Sequence, residues 1–160
     1  MIRTDPTAPD SRLADYLLDL NPATTDGLVN LSLGGYFAQG RIWVLHSRFR
    51  YFDPVKRRAG LPGDVGALVE KLGADSAVLS LVNLNPIEAR EVVVQAGGYG
   101  EHRFEEVSVD GKVIRCGGPV LTVRLEPGAG SRLECRMTRF ANRPTFAFPW
   151  DRGWYPGPQR

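Results

Sequence analysis

The sequence predicts an all-β protein, an antiparallel β-sandwich or jelly roll with one or two short helices. Three observations lead there. About eight or nine short runs alternate apolar and polar residues, which is the period of a half-buried strand. Turn signals separate these runs, among them Asn85-Pro86, Asp110-Gly111 and "EPGAGS". The 18 glycines and 12 prolines follow no repeat and fall between the apolar runs, as punctuation between strands.

Taken in order, the chain divides into an arm with a short helix (1–26), a sandwich (27–143) and an aromatic, proline-rich tail (144–160). "SRLADYLLDL" puts Leu13, Tyr16, Leu17 and Leu20 at helical spacing, with Asp10 or Ser11 as cap and Asn21-Pro22 as stop. "LVNLSL" reads as the first strand, ending at Gly34-Gly35. "RIWVLHSRFRYF" is a long alternating strand with Trp43, Leu45, Phe49 and Tyr51 on a core face. Its other face carries His46, Arg48, Arg50 and Phe52. "LPGDVGALVEKLGAD" reads as a second helix, with Val65, Leu68, Val69 and Leu72 on one face and Gly73 as stop. "SAVLSLVNL" is apolar on both faces, which suits a central strand. "EAREVVVQA" and "HRFEEVSV" flank the run Gly97-Gly98-Tyr99-Gly100, and Asp110-Gly111 turns the chain back into "KVIRC". "PVLTVRL" and "RLECRMTRF" alternate cleanly, which puts Leu121, Val123, Leu125, Leu133, Cys135 and Met137 inside.

The tail "NRPTFAFPWDRGWYPGPQR" holds five aromatics between Phe146 and Tyr155, interleaved with prolines, so it cannot be a central strand. Rings in such number need a surface to cover. The tail is expected to wrap its own sandwich or to lie across a second subunit, and a homo-oligomer held by the tail is the expectation for assembly.

At 160 residues, 42% apolar, the chain is long enough to bury one real core. With 20 basic and 18 acidic residues the net charge is +2, which gives no footprint for nucleic acid. Lys56, Arg57 and Arg58 read as a solvated loop. "MIRTDPTAPDSR" lacks the apolar centre of a secretory signal, and no stretch is long enough for a membrane helix. A cytoplasmic location with reduced Cys116 and Cys135 is the expectation, with no membrane partner.

"LSLVNLNPIEAREVVVQAGGYGEH" and "VRLEPGAGSRLECRM" resemble the carboxy-terminal β-sandwich domain of large, poorly characterised bacterial proteins of carbohydrate-active-enzyme type. The shared pattern is a "VNL" strand followed by a polar turn, and a later "LxPGxGxxL" turn between the final two strands. The resemblance covers Gly27 to Trp150. It implies an accessory module that binds a glycan or serves in assembly, and it carries no catalytic pattern.

The chemistry-bearing residues allow three readings. His46 and His102 with Glu101 or Glu106 would supply metal ligands in number. They lack HxH spacing, however, and strand alternation would point Glu101 and His102 to opposite sides, so neither a metal nor another cofactor is expected. A small lyase or hydrolase acting on a sugar or sugar acid would use His46, Arg48, Tyr99 and His102, with guanidinium groups meeting a carboxylate. Glu105-Glu106 are adjacent on one strand and do not make a glycosidase pair. There is no GxSxG, phosphate-binding loop or dinucleotide fingerprint. A carbohydrate-binding face would use Tyr36 and Tyr99, which sit in two glycine-rich loops, together with Arg50, Trp150 and Trp154. Alternation assigns Trp43 to the core.

Overall fold

The computed structural model describes residues 26–35, 47–109, 111–155 and 157. The predicted helix over 11–20 lies outside them, as do Tyr36, Trp43 and His46. The described chain is a sandwich of two antiparallel sheets. Its elements are α1 (Asp26–Leu33), β1 (Phe49–Asp53), β2 (Arg58–Ala59), β3 (Val65–Leu72), β4 (Ser76–Asn83), β5 (Arg90–Ala96), β6 (Arg103–Val109), β7 (Lys112–Arg115), β8 (Val120–Leu125) and β9 (Gly130–Thr138). A 3-10 turn follows at Pro149–Arg152. One sheet runs β2-β1-β5-β8 and the other β3-β4-β9-β6-β7. No helix among the described residues is long and apolar enough to cross a membrane.

The core is the set of inward positions that alternation marks. Phe49 and Tyr51 of β1, Val92, Val94 and Ala96 of β5, and Val123 and Leu125 of β8 face Leu79 and Leu81 of β4, Phe104 and Val107 of β6, and Leu133, Cys135 and Met137 of β9. Burial pushes the Cys135 thiol up to about 12, so it behaves as a small hydrophobe there. A hairpin does join β6 to β7. Val109 pairs with Lys112, and Gly111 takes φ +81°, a conformation that suits glycine.

Two assignments change type. "LVNLSL", read as a strand, is part of helix α1, and Gly34 ends it with φ +66° and an N–H bond to the Asn30 carbonyl. The helix docks on β3 and β1, and the Tyr51 hydroxyl donates to the Ser32 carbonyl. Conversely, "VGALVEKL", read as a helix, is edge strand β3. It pairs with β4 from Val65↔Asn83 to Leu72↔Ala77, with a bulge between Val69 and Lys71. Val65 and Val69 satisfy a period of two as well as one of 3.6. Ladder pairing with β4 decides between the periods, and local sequence cannot register that pairing.

The "VNLNP" stretch is a structural turn at one end of the sandwich. Buried Asn83 donates through Nδ2 to the carbonyls of Glu88 (2.9 Å) and Glu126 (3.1 Å), and its Oδ1 accepts the Asn85 N–H. Asn85 and Arg90 in turn hold the Asp64 carboxylate at 3.0 and 2.7 Å, and these bonds keep that carboxyl below its usual range.

Candidate functional site

The opposite end of the sandwich holds the glycine run and the tail. Here β5 is buried on both faces. Val92, Val94 and Ala96 point into the core, while Val93 and Gln95 are covered from outside. The cover is the tail, which packs on the outer face of the β2-β1-β5-β8 sheet of its own chain. Phe52 is at its centre, with the rings of Phe148 and Trp150 meeting it edge-on at 5.8 and 5.9 Å. Phe148 and Trp150 stack on each other at 5.1 Å. The Arg57 guanidinium lies 5.2 Å over Trp150, and Arg50 lies 5.0 Å over Phe52, both at cation–π distance.

The tail continues across the turn after β5. The Thr145 N–H donates to the Tyr99 carbonyl at 2.9 Å, and the Phe146 ring meets Tyr99 edge-on at 4.9 Å. Trp154 closes over Gly100 and Gln95, so a side chain at position 100 would collide with the indole. Arg152 lies over Trp154 and donates to the Thr145 hydroxyl at 2.6 Å. The Tyr155 hydroxyl donates to Glu91 at 3.0 Å, and burial followed by that carboxylate pushes the phenol up to about 12.

Beneath this surface sits a buried polar group formed by Arg48, Gln95, Glu101 and His102. β6 begins only at Arg103, so Glu101 and His102 lie in the turn and not on a strand. That overturns the expectation from alternation that the two side chains diverge. His102 Nε2 is 3.9 Å from Glu101 Oε1. His102 Nδ1 accepts the Phe140 N–H at 3.2 Å, which fixes the neutral tautomer with its proton on Nε2. The Glu101 carboxylate folds back under the turn and accepts the Tyr99 N–H at 2.8 Å. Asn142 ties the start of the tail to this turn, donating through Nδ2 to the carbonyls of Gly100 (3.1 Å) and His102 (2.8 Å). Burial, followed by the Arg48 and Arg139 cations, holds the His102 imidazole below its usual pKa against the opposing pull of Glu101.

Gly97 is the hinge of this arrangement. Its φ is +86°, and a Cβ there would run into the Glu101 carboxylate. Gly97→Ala is therefore expected to lower stability by about 1–3 kcal/mol in urea unfolding, from backbone strain plus displacement of Glu101. A variant as stable as the parent would mean that the carboxylate does not pack against this turn.

Of the residues proposed for catalysis, Arg48 is 4% exposed and donates to the Gly73 carbonyl at 2.9 Å, and His102 is fully buried. In this geometry both groups hold backbone and are shielded from any approaching substrate. Tyr99 is half-buried on the surface, and His46 lies outside the described residues. Among the described residues, no three metal-ligating side chains converge. Of the residues proposed for ligand binding, Arg50 and Trp150 both pack on Phe52, Tyr99 and Trp154 lie at the turn after β5, and Tyr36 lies outside the described residues. Sequence reasoning missed two residues packed against these, Arg57 and Phe146. The positive φ of Arg57 (+48°) turns its side chain back over Trp150, and no pattern in the sequence signals that. Phe146 is 76% exposed, the largest exposure of any described aromatic ring. No protein-family model matches this chain, and searches of curated proteins and of solved structures find no match either.

Proposed function

We propose that this chain is a non-catalytic β-sandwich module of carbohydrate-enzyme type, and that it binds a glycan on the outer face of its four-stranded sheet. One observation carries the reading. Arg50, Tyr99, Trp150 and Trp154, picked as binding residues from their types and positions, all lie along the path of the tail over Phe52 and the turn after β5, where Arg57 packs on Trp150 and Phe146 on Tyr99. Aromatic faces stack on the C–H faces of sugar rings, while guanidinium groups donate to hydroxyls or carboxylates at fixed geometry. The most exposed ring, Phe146, rests on Tyr99 and is free to take a sugar. The burial of Arg48 and His102 supports a binding role over a catalytic one, since general acid–base chemistry requires the group to reach its substrate.

The test titrates the full chain with neutral and uronate oligosaccharides, followed by tryptophan fluorescence and amide NMR. One glycan class is expected to move the resonances of Tyr99, Phe146 and Trp150. Phe146→Ala should weaken that binding about 3- to 10-fold, equivalent to about 0.5–1.5 kcal/mol of stacking. Binding should survive His102→Gln. A panel that leaves all three residues unmoved, or binding that Phe146→Ala leaves intact, would sink the proposal.

A further inference from the structure

Among the described residues the two sheets have four edges, and three of them are blunted against pairing. β2 is two residues long. β3 carries a bulge between Val69 and Lys71, with charged Glu70 and Lys71 beside it. β7 is four residues long, exposed at every position, and carries Lys112 and Arg115. Short length, bulges and lysines are the usual protections of a free edge. β8 has none of them. It runs six residues, Val120–Leu125, in unbroken register with β5, and contains no lysine, no proline and no bulge.

The register shows which groups the edge offers. The Ala96 N–H bonds to the Pro119 carbonyl, so residues 119, 121, 123 and 125 turn their backbone groups toward β5. Val120, Thr122 and Arg124 therefore turn theirs outward, where no described residue receives them. Beside this edge the sandwich gapes. A cleft of about 440 Å³ opens between β8 and the β6–β7 hairpin, lined by Leu121, Val123, Val107, Val109, Ile114 and Leu133.

We propose that β8 is a self-association edge, pairing antiparallel with β8 of a second copy of this chain about a two-fold axis at Thr122. The free groups are centred on that residue, so one edge complements itself: 122 faces 122, and 120 faces 124. Each Arg124 then lies opposite an uncharged valine. The two Arg124 side chains are four residues apart, roughly 13 Å at strand rise, beyond the ~8–10 Å screening length. Paired residues of antiparallel strands point to the same face, so the partner copy's Leu121 and Val123 extend the inner face over the cleft. The tail, seated on its own sheet, is not needed for this contact.

The test is sedimentation equilibrium of the full chain over a concentration series, with amide hydrogen exchange at both ends of the series. The parent is expected to pass from monomer to dimer mass. Protection should rise about tenfold or more at the amides of Val120, Thr122 and Arg124, and not at those of Leu121 and Val123, which β5 already holds. Thr122→Pro removes only an outward N–H, and Thr122→Lys places like charges opposite each other on the axis. Both variants should stay folded and monomeric throughout the series. If Thr122→Pro fails to fold, Thr122→Lys decides. A parent that is monomeric throughout the series overturns the proposal, as does a dimer that persists in a folded Thr122→Lys variant.

Discussion

Phe104→Ala is expected to cost about 3–5 kcal/mol. Phe104 of β6 and Phe49 of β1 are both fully buried, one from each sheet, and their rings stack with centroids 6.3 Å apart. Removing one ring leaves a void between the layers that neither sheet can close alone, because each is held by its own ladder. Against a typical total stability of about 5–15 kcal/mol, the variant keeps little reserve. Its melting temperature should fall by roughly 6–20 °C for a chain of this size. Phe146→Ala is the control: the same atoms removed from the surface should change stability by no more than about 0.5 kcal/mol. Calorimetry of the pair checks both numbers. Equal losses would mean that the sheets do not share one core through these rings.

The Phe49–Phe104 contact shows what the sequence makes legible and what it does not. Alternation identifies Phe49 as inward because its run is long and flanked by clear turns. The same reasoning places Leu133, Cys135 and Met137 inside, and the Asp110-Gly111 hairpin follows from local chemistry alone. Where a run is short, two periods fit it. Val65 and Val69 serve a helix or a strand equally well, and only β4, a separate segment, resolves the choice. α1 fails in the reverse sense: Leu28, Leu31 and Leu33 look like strand residues until Gly34 and the Tyr51 hydroxyl fix a helical turn.

The candidate site was half legible for the same reason. Residue type picked out Arg50, Tyr99, Trp150 and Trp154. What brings them together is the path of the tail over Phe52 and Gly100, and that is a tertiary fact. The turn Gly97–His102 is the sharpest case. Alternation marks both flanking strands, yet β6 begins at Arg103, one residue after the start that the alternation predicts. That shift converts Glu101 and His102 from opposed neighbours into a buried pair under the tail.

Because of that burial, acid is expected to destabilise the fold through His102. In the native state the ring is neutral. Its Nδ1 lone pair is occupied by the Phe140 N–H, Phe140 lies edge-on at 5.0 Å, and Arg48 and Arg139 are the nearby cations. A proton added at Nδ1 would meet a donor instead of an acceptor, and it would bring a charge into a site closed to water. The folded pKa is therefore depressed below the unfolded value of about 6.5, so the unfolded chain binds the extra proton first. Stability is full above about pH 6.5 and declines as pH falls from there toward the folded pKa, at no more than about 1.4 kcal/mol per pH unit for one proton. Urea midpoints measured between pH 8 and pH 5, above the range where carboxylates take over, should show that decline. His102→Gln keeps an acceptor and a donor but cannot be charged in this range, so it should flatten the decline while lowering stability at pH 8. A parental slope that survives the substitution undiminished would overturn the assignment to His102. A flat parental profile from pH 8 to pH 5 would show that the imidazole takes its proton without disturbing the turn that anchors the tail.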